Sequence, residues 1–145
     1  PNGIAISADQ KTLFVVDNHP VKPVRKLFAF DLDKNGMPTG DRKEFHDFGK
    51  GRGGDGMCID AEDNIYVTAG ANRLYTNQNT DNPAGVYVFS RTGKKLGVIP
   101  IPEDMVTNCC FGDGDLKTLY VTGGKTLWKI RVKIPGKLTW PARQP

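Results

Sequence analysis

An all-β fold of repeated blades is what this chain predicts, on three observations. One phrase recurs at a spacing of 53 residues: Asn2-Gly3-Ile4-Ala5-Ile6-Ser7, Asp55-Gly56-Met57-Cys58-Ile59-Asp60 and Asn108-Cys109-Cys110-Phe111-Gly112-Asp113. Each phrase is followed by a segment apolar at nearly every position: Leu13-Phe14-Val15-Val16-Asp17, Ile65-Tyr66-Val67-Thr68 and Leu119-Tyr120-Val121-Thr122. Strands apolar on both sides are covered on both faces, unlike those of an antiparallel sheet with one wet face. The 145 residues also include 17 Gly and 10 Pro, above average usage and consistent with a turn-rich β chain. A repeat of this length is that of a β-propeller, in which each blade is covered by its two neighbours.

The elements follow in order within each unit. In the first unit, Ile4 and Ile6 alternate along an inner strand, and Leu13 to Asp17 supply the second strand. Leu27-Phe28-Ala29-Phe30 supplies the third, and residues 43–48 a more polar fourth, charged as an outer edge should be. Asp33-Lys34-Asn35-Gly36 has the composition of the turn between them. The second unit repeats the plan with Met57 and Ile59, residues 65–68, Val86-Tyr87-Val88-Phe89, the turn Arg91-Thr92-Gly93-Lys94, and residues 96–99. Residues 69–85 are a polar, Asn-rich insertion between its second and third strands. Such a loop is a surface connection or, in a propeller, a rim over the channel mouth. The third unit has Leu127-Trp128-Lys129-Ile130 as its third strand and only residues 137–140 as a weak fourth. The three units, at approximately 2–48, 55–101 and 108–136, belong to one propeller domain. Rings close with roughly four to eight blades, so about as much chain again, or a second chain, is expected to complete this one.

Bulk properties exclude several classes. The net charge of +4 is modest and the basic residues lie singly or in pairs, which gives no nucleic-acid footprint. Apolar runs of a few residues are too short to span a membrane as a helix. Three cysteines without a Cys-x-x-Cys spacing argue against a disulfide framework or a structural zinc site, and are read as buried free thiols. The chain begins at Pro1 on a repeat boundary, without Met or signal peptide. Upstream sequence is therefore expected, and localisation stays open.

The residue that opens each phrase lies where an inner strand begins, near the mouth of a central channel. An Asn amide oxygen and an Asp carboxylate converging there are hard donors suited to Ca²⁺, Mg²⁺ or Mn²⁺. Asn-Gly and Asp-Gly are also ordinary turn dipeptides. Pro1-Asn2-Gly3-Ile4-Ala5, Gly54 to Glu62, Thr107 to Gly112 and Lys117 to Thr122 resemble the gluconolactonase family, also called the senescence-marker-protein-30 or regucalcin family. The stretch Pro83 to Ser90 looks like its bacterial gluconolactonase branch.

The resemblance runs in order from residue 1 to about 136. It implies a six-bladed propeller, of which about three blades are present here, holding one divalent ion. Calcium heads the candidates, with magnesium, manganese and zinc behind it. The family's ligands are an early Glu, which has no counterpart here, and residues matching Asn2 and Asp55. The implied reaction is metal-assisted opening of a sugar lactone, a small-molecule substrate such as gluconolactone. Asp55 would be both ligand and proton acceptor, although a carboxylate already bound to a cation is a weak base. Asn108 shares the register but is expected to hydrogen-bond inside the channel. Two other functions suit the scaffold: a phosphotriesterase-like hydrolase, and a non-catalytic calcium-binding or protein-binding propeller.

Other candidates are weaker. His19 and His46 are expected to be exposed. Asp17 and Asn18 read as turn caps before a second metal site. Ser7 and Ser90 have no neighbouring His and support no serine hydrolase site. Tyr120 and Trp128 fit packing between blades.

Overall fold

A computed structural model describes residues 1–19, 24–75 and 79–138. Among them are eleven strands and no helix. The strands are β1 (Ile4–Ile6), β2 (Thr12–Asn18), β3 (Arg25–Leu32), β4 (Pro38–Asp47), β5 (Gly54–Ile59), β6 (Ile65–Ala69), β7 (Gly85–Phe89), β8 (Lys95–Pro100), β9 (Val106–Gly112), β10 (Thr118–Gly123) and β11 (Thr126–Arg131). They form three antiparallel sheets, each a meander in chain order: β1 to β4, β5 to β8, and β9 to β11. Short connections join most neighbouring strands, residues 70–84 join β6 to β7, and within each sheet only strands consecutive in the chain pair. Ile4 pairs with Val15, Cys58 with Tyr66, and Cys109 with Val121, the same step in three blades.

Two apolar seams hold the blades together. Phe14, Val16 and Leu27 of the first blade pack with Met57, Ile59, Ile65, Val67, Tyr87 and Phe89 of the second. Tyr66 and Val86, on the other side of the second blade, pack with Val106, Cys109, Leu119 and Val121 of the third. Alternation along β6 therefore sends Ile65 and Val67 to one seam and Tyr66 to the other, and all five β6 residues are buried. Burying each large aliphatic or aromatic side chain is worth about 1.5–3 kcal/mol, so these seams are the main cohesive force. The expectation of strands covered on both faces holds for this middle blade. In β2 only Phe14 and Val16 are fully buried, and in β10 Tyr120 is half-buried and Thr122 exposed. The physical reason is that each end blade has one neighbour in this chain.

Three features depart from the sequence reading. β4 runs from Pro38, well before residue 43, because Asp33 organises the preceding turn. Its Oδ1 accepts hydrogen bonds from the backbone N–H groups of Asn35 (2.8 Å) and Met37 (2.9 Å), which lets pairing start at once. His46, on that strand, is half-buried rather than exposed. Its ring lies 4.6 Å from Phe48 and 4.9 Å from Phe89, because the end of β4 folds under the second blade. His19 is exposed. The cysteines also differ from one another. Cys109 is buried and Cys58 half-buried with its Sγ 3.4 Å from that of Cys109, whereas Cys110 points away from the seam and is exposed.

The third blade has three strands among the described residues. Residues 137 and 138 lie outside any strand, and 139–140 fall outside the described residues. The chain after β11 instead crosses beneath the third blade to the second. Gly136 N–H bonds Leu116 O (2.8 Å), Ala61 N–H bonds Pro135 O (2.8 Å), and Lys137 N–H bonds Ile59 O (3.2 Å). A Cβ on Gly136 would overlap the Phe111 ring, so this crossing needs glycine.

Candidate functional site

The three phrase-opening residues come together because the blades place β1, β5 and β9 side by side. Gly3 N–H donates to Asp55 O at 2.7 Å, and a Cβ on Gly3 would collide with that carbonyl. A Cβ on Gly56 would likewise collide with the Asn108 amide. Glycine after Asn2 and Asp55 is thus required by close approach between blades and not only by a turn.

Asn2 Nδ2 donates to Asp55 Oδ1 at 2.7 Å, so the two residues singled out as ligands are in direct contact. Asn2 is exposed, and the Asp55 side chain is 23% exposed. Asn108 Oδ1 accepts from the backbone N–H of Cys109 (2.9 Å), which engages it within its own strand. Asp17 and Asn18 end β2 next to Asn2, whose backbone N–H bonds Val16 O (2.7 Å). Asp17 Oδ1 and Asn18 Oδ1 are shielded from solvent; the first lies 3.4 Å from the Pro1 terminal ammonium, and the second accepts no hydrogen bond among the described residues. The turn they are expected to cap, residues 20–23, lies outside the described residues.

Asn2 and Asp55 thus bring hard oxygen donors to one end of the inner strands, and at the end of β2 Asn18 Oδ1 is buried without a hydrogen bond among the described residues. That chemistry fits a hard divalent cation. Among the described residues no three His, Cys, Asp or Glu side chains group together, so the chain offers part of a coordination shell.

Sequence reasoning missed Arg52. Its side chain is 4% exposed, yet its Nη2 lies 2.5 Å from Asp55 Oδ2 and its Nη1 donates to Val106 O at 2.7 Å. Burial pushes the guanidinium below its ordinary value, and Asp55 pulls the other way. The available signal was an Arg inside the glycine-rich run Gly49-Lys50-Gly51-Arg52-Gly53-Gly54, three residues before Asp55.

The insertion lies at the same end of the blades. Gly70 N–H bonds Arg52 O (3.1 Å), Asn79 N–H bonds Lys50 O (3.3 Å), and Asn82 Nδ2 bonds Phe48 O (2.6 Å). Asn72 ties its other side to Asp104 Oδ1 (2.8 Å) and Ile101 O (3.1 Å). Leu74 and Tyr75 remain exposed on it. Residues 76–78 lie outside the described residues.

A family model described as "SMP-30/Gluconolactonase/LRE-like region" matches residues 1–125. The chain is similar to a gluconolactonase from Zymomonas mobilis subsp. mobilis, at 32% identity over 143 residues, covering 94% of this chain and 36% of that protein. It is also similar to regucalcin from Xenopus laevis, at 31% identity over 135 residues, covering 90% of this chain and 40% of that protein. The chain therefore spans about two-fifths of the length of the curated relatives it matches. Among solved structures, a gluconolactonase from Xanthomonas campestris superposes with a TM-score of 0.67 at 30% identity, covering 94% of this chain and 38% of that one. A calcium-binding protein, regucalcin, from Agrobacterium tumefaciens gives 0.74 at 23% identity, covering 94% and 47%, a likeness of fold.

Proposed function

From the premise that this chain belongs to the SMP-30/gluconolactonase/LRE-like family, we propose that it forms part of a metal-dependent hydrolase that opens a sugar lactone. The observation that carries this reading is the 2.7 Å contact between Asn2 and Asp55, two oxygen-bearing side chains from adjacent blades. Asn2 and Asp55 would hold one divalent ion, calcium foremost, with Asp17 and Asn18 as further oxygen groups beside them. The full-length protein would supply the remaining blades of a six-bladed ring, an acidic ligand and the side chains that hold the sugar hydroxyls.

When bound, such an ion supplies polarisation of the lactone carbonyl and stabilisation of the oxyanion. Asn2 orients the site through its amide. Asp55 Oδ1 accepts the proton of the attacking water. The new C–O bond forms at the carbonyl carbon, the ring C–O bond breaks, and the ring oxygen takes the proton from Asp55 as it leaves, giving the open hydroxy acid and restoring the carboxylate. Residues 70–75 and 79–84 would wall this end of the site.

The test is turnover of gluconolactone by the full-length protein, with and without a chelator, beside an organophosphate triester. Chelator-sensitive lactone opening supports the reading. Faster turnover of the triester favours the phosphotriesterase alternative. Calorimetric binding of calcium without turnover of either ester makes the protein a non-catalytic calcium binder and overturns the lactonase reading.

A further inference from the structure

Arg52 sits at a junction of three chain segments. It precedes β5, its Nη1 reaches Val106 O at the start of β9 (2.7 Å) and Gly70 O just after β6 (3.5 Å), and its Nη2 reaches Asp55 Oδ2 (2.5 Å). A buried guanidinium is costly unless paired and hydrogen-bonded, and the two carbonyls with one carboxylate oxygen meet that requirement. The carbonyls fix where the guanidinium lies, and the guanidinium fixes which way the carboxylate faces. Oδ2 is thereby taken, and Oδ1 alone is turned toward Asn2.

We propose that Arg52 is a positioning residue that restricts Asp55 to coordination through one oxygen. The inference rests on the metal-binding reading of Asn2 and Asp55 and goes beyond it by assigning what limits the ion's shell. Calcium accepts six to eight oxygens and readily takes both oxygens of one carboxylate, whereas magnesium holds a compact six-oxygen shell. A one-oxygen Asp55 therefore withholds from calcium a contact that magnesium does not need. The same clamp fixes the direction in which Oδ1 faces, toward Asn2.

The experiment uses the full-length protein, freed of metal and titrated separately with Ca²⁺ and Mg²⁺ by calorimetry. Arg52→Met removes the clamp. It is expected to raise the ratio of calcium to magnesium affinity by roughly tenfold, because Oδ2 becomes available to the larger ion. It should also lower kcat for the lactone by about tenfold or more with a smaller change in KM, since Oδ1 is no longer held in line. Arg52→Lys keeps a point charge on Oδ2 and should return the affinity ratio to within about twofold of wild type. The ratio is independent of how much protein is folded, so a purely structural role for Arg52 would lower Tm and leave the ratio unchanged. That result, or an unchanged kcat in Arg52→Met, overturns the proposal while the metal-site reading stands. Wild-type protein that binds neither ion overturns both.

Discussion

Asp55 has two carboxylate oxygens, and the fold gives them to different partners, Arg52 on one side and Asn2 on the other. Removing its charge therefore does two things. In Asp55→Asn, divalent binding in the full-length protein should be lost by calorimetry. Arg52 should also be left buried without its counter-ion. Breaking a fully buried pair costs about 3–5 kcal/mol, and a lower figure of about 2–3 kcal/mol is expected here because Asp55 is partly open to solvent; chemical denaturation in a chelator measures it. Asn2→Ala should lower lactone turnover while costing only about 0.5–1.5 kcal/mol, since one exposed hydrogen bond is lost. His46 makes a different prediction. Burial, foremost, and the nearby Lys95 lower its pKa below the ordinary 6.5, partly opposed by Asp47. The unfolded chain thus takes up the proton first. Stability is unpenalised above about pH 6.5 and falls as pH drops from there toward the folded value. His46→Leu should flatten that decline, read as denaturation midpoints at pH 7.5 and pH 5. Asn2 and Asp55 were legible in the sequence because a fixed interval between blades puts equivalent positions at one place. Arg52 was not, because an Arg among glycines looks like an exposed loop residue. Its burial depends on Val106, 54 residues away.

Among the elements, the inner and second strands were legible because their apolar residues follow blade geometry. β4 was legible only in part, since its exposed sequence Pro-Thr-Gly-Asp-Arg-Lys pairs through its backbone and shows no apolar alternation. Of the fourth strand expected at residues 137–140, residues 137 and 138 lie in no strand, and 139–140 fall outside the described residues. The hydrogen bonds of residues 132–137 go to Lys117, Leu116, Ala61 and Ile59. The segment fastens two blades together. Gly136→Ala should therefore weaken the joint between the second and third blades, because the new methyl group meets the Phe111 ring. The expected loss is about 1–3 kcal/mol, the usual effect of overpacking, measured by thermal or chemical denaturation. The insertion at residues 70–84 was legible as polar and extra. Its location beside Arg52 required the tertiary contacts made by Asn72, Asn79 and Asn82.

At the scale of the molecule, the number of blades was legible from the repeat, and the asymmetry between them was not. The middle blade has neighbours on both sides. The end blades present apolar side chains outward, with Ile4 64% and Leu127 66% exposed. The 145-residue chain prepared alone should bind a hydrophobic dye and associate as its concentration rises, and the full-length protein should do neither, as light scattering would show. The burial of β6 has a consequence in time as well as in space. Each of its backbone amides lies between β5 and β7 and beneath a seam on either face, so none can meet solvent by fraying. Opening β6 requires separating the second blade from both of its neighbours. In heavy water its amides should be the last to exchange, at the rate set by unfolding of the whole assembly. Those of β1 and β11, at sheet edges with one open face, should exchange much earlier.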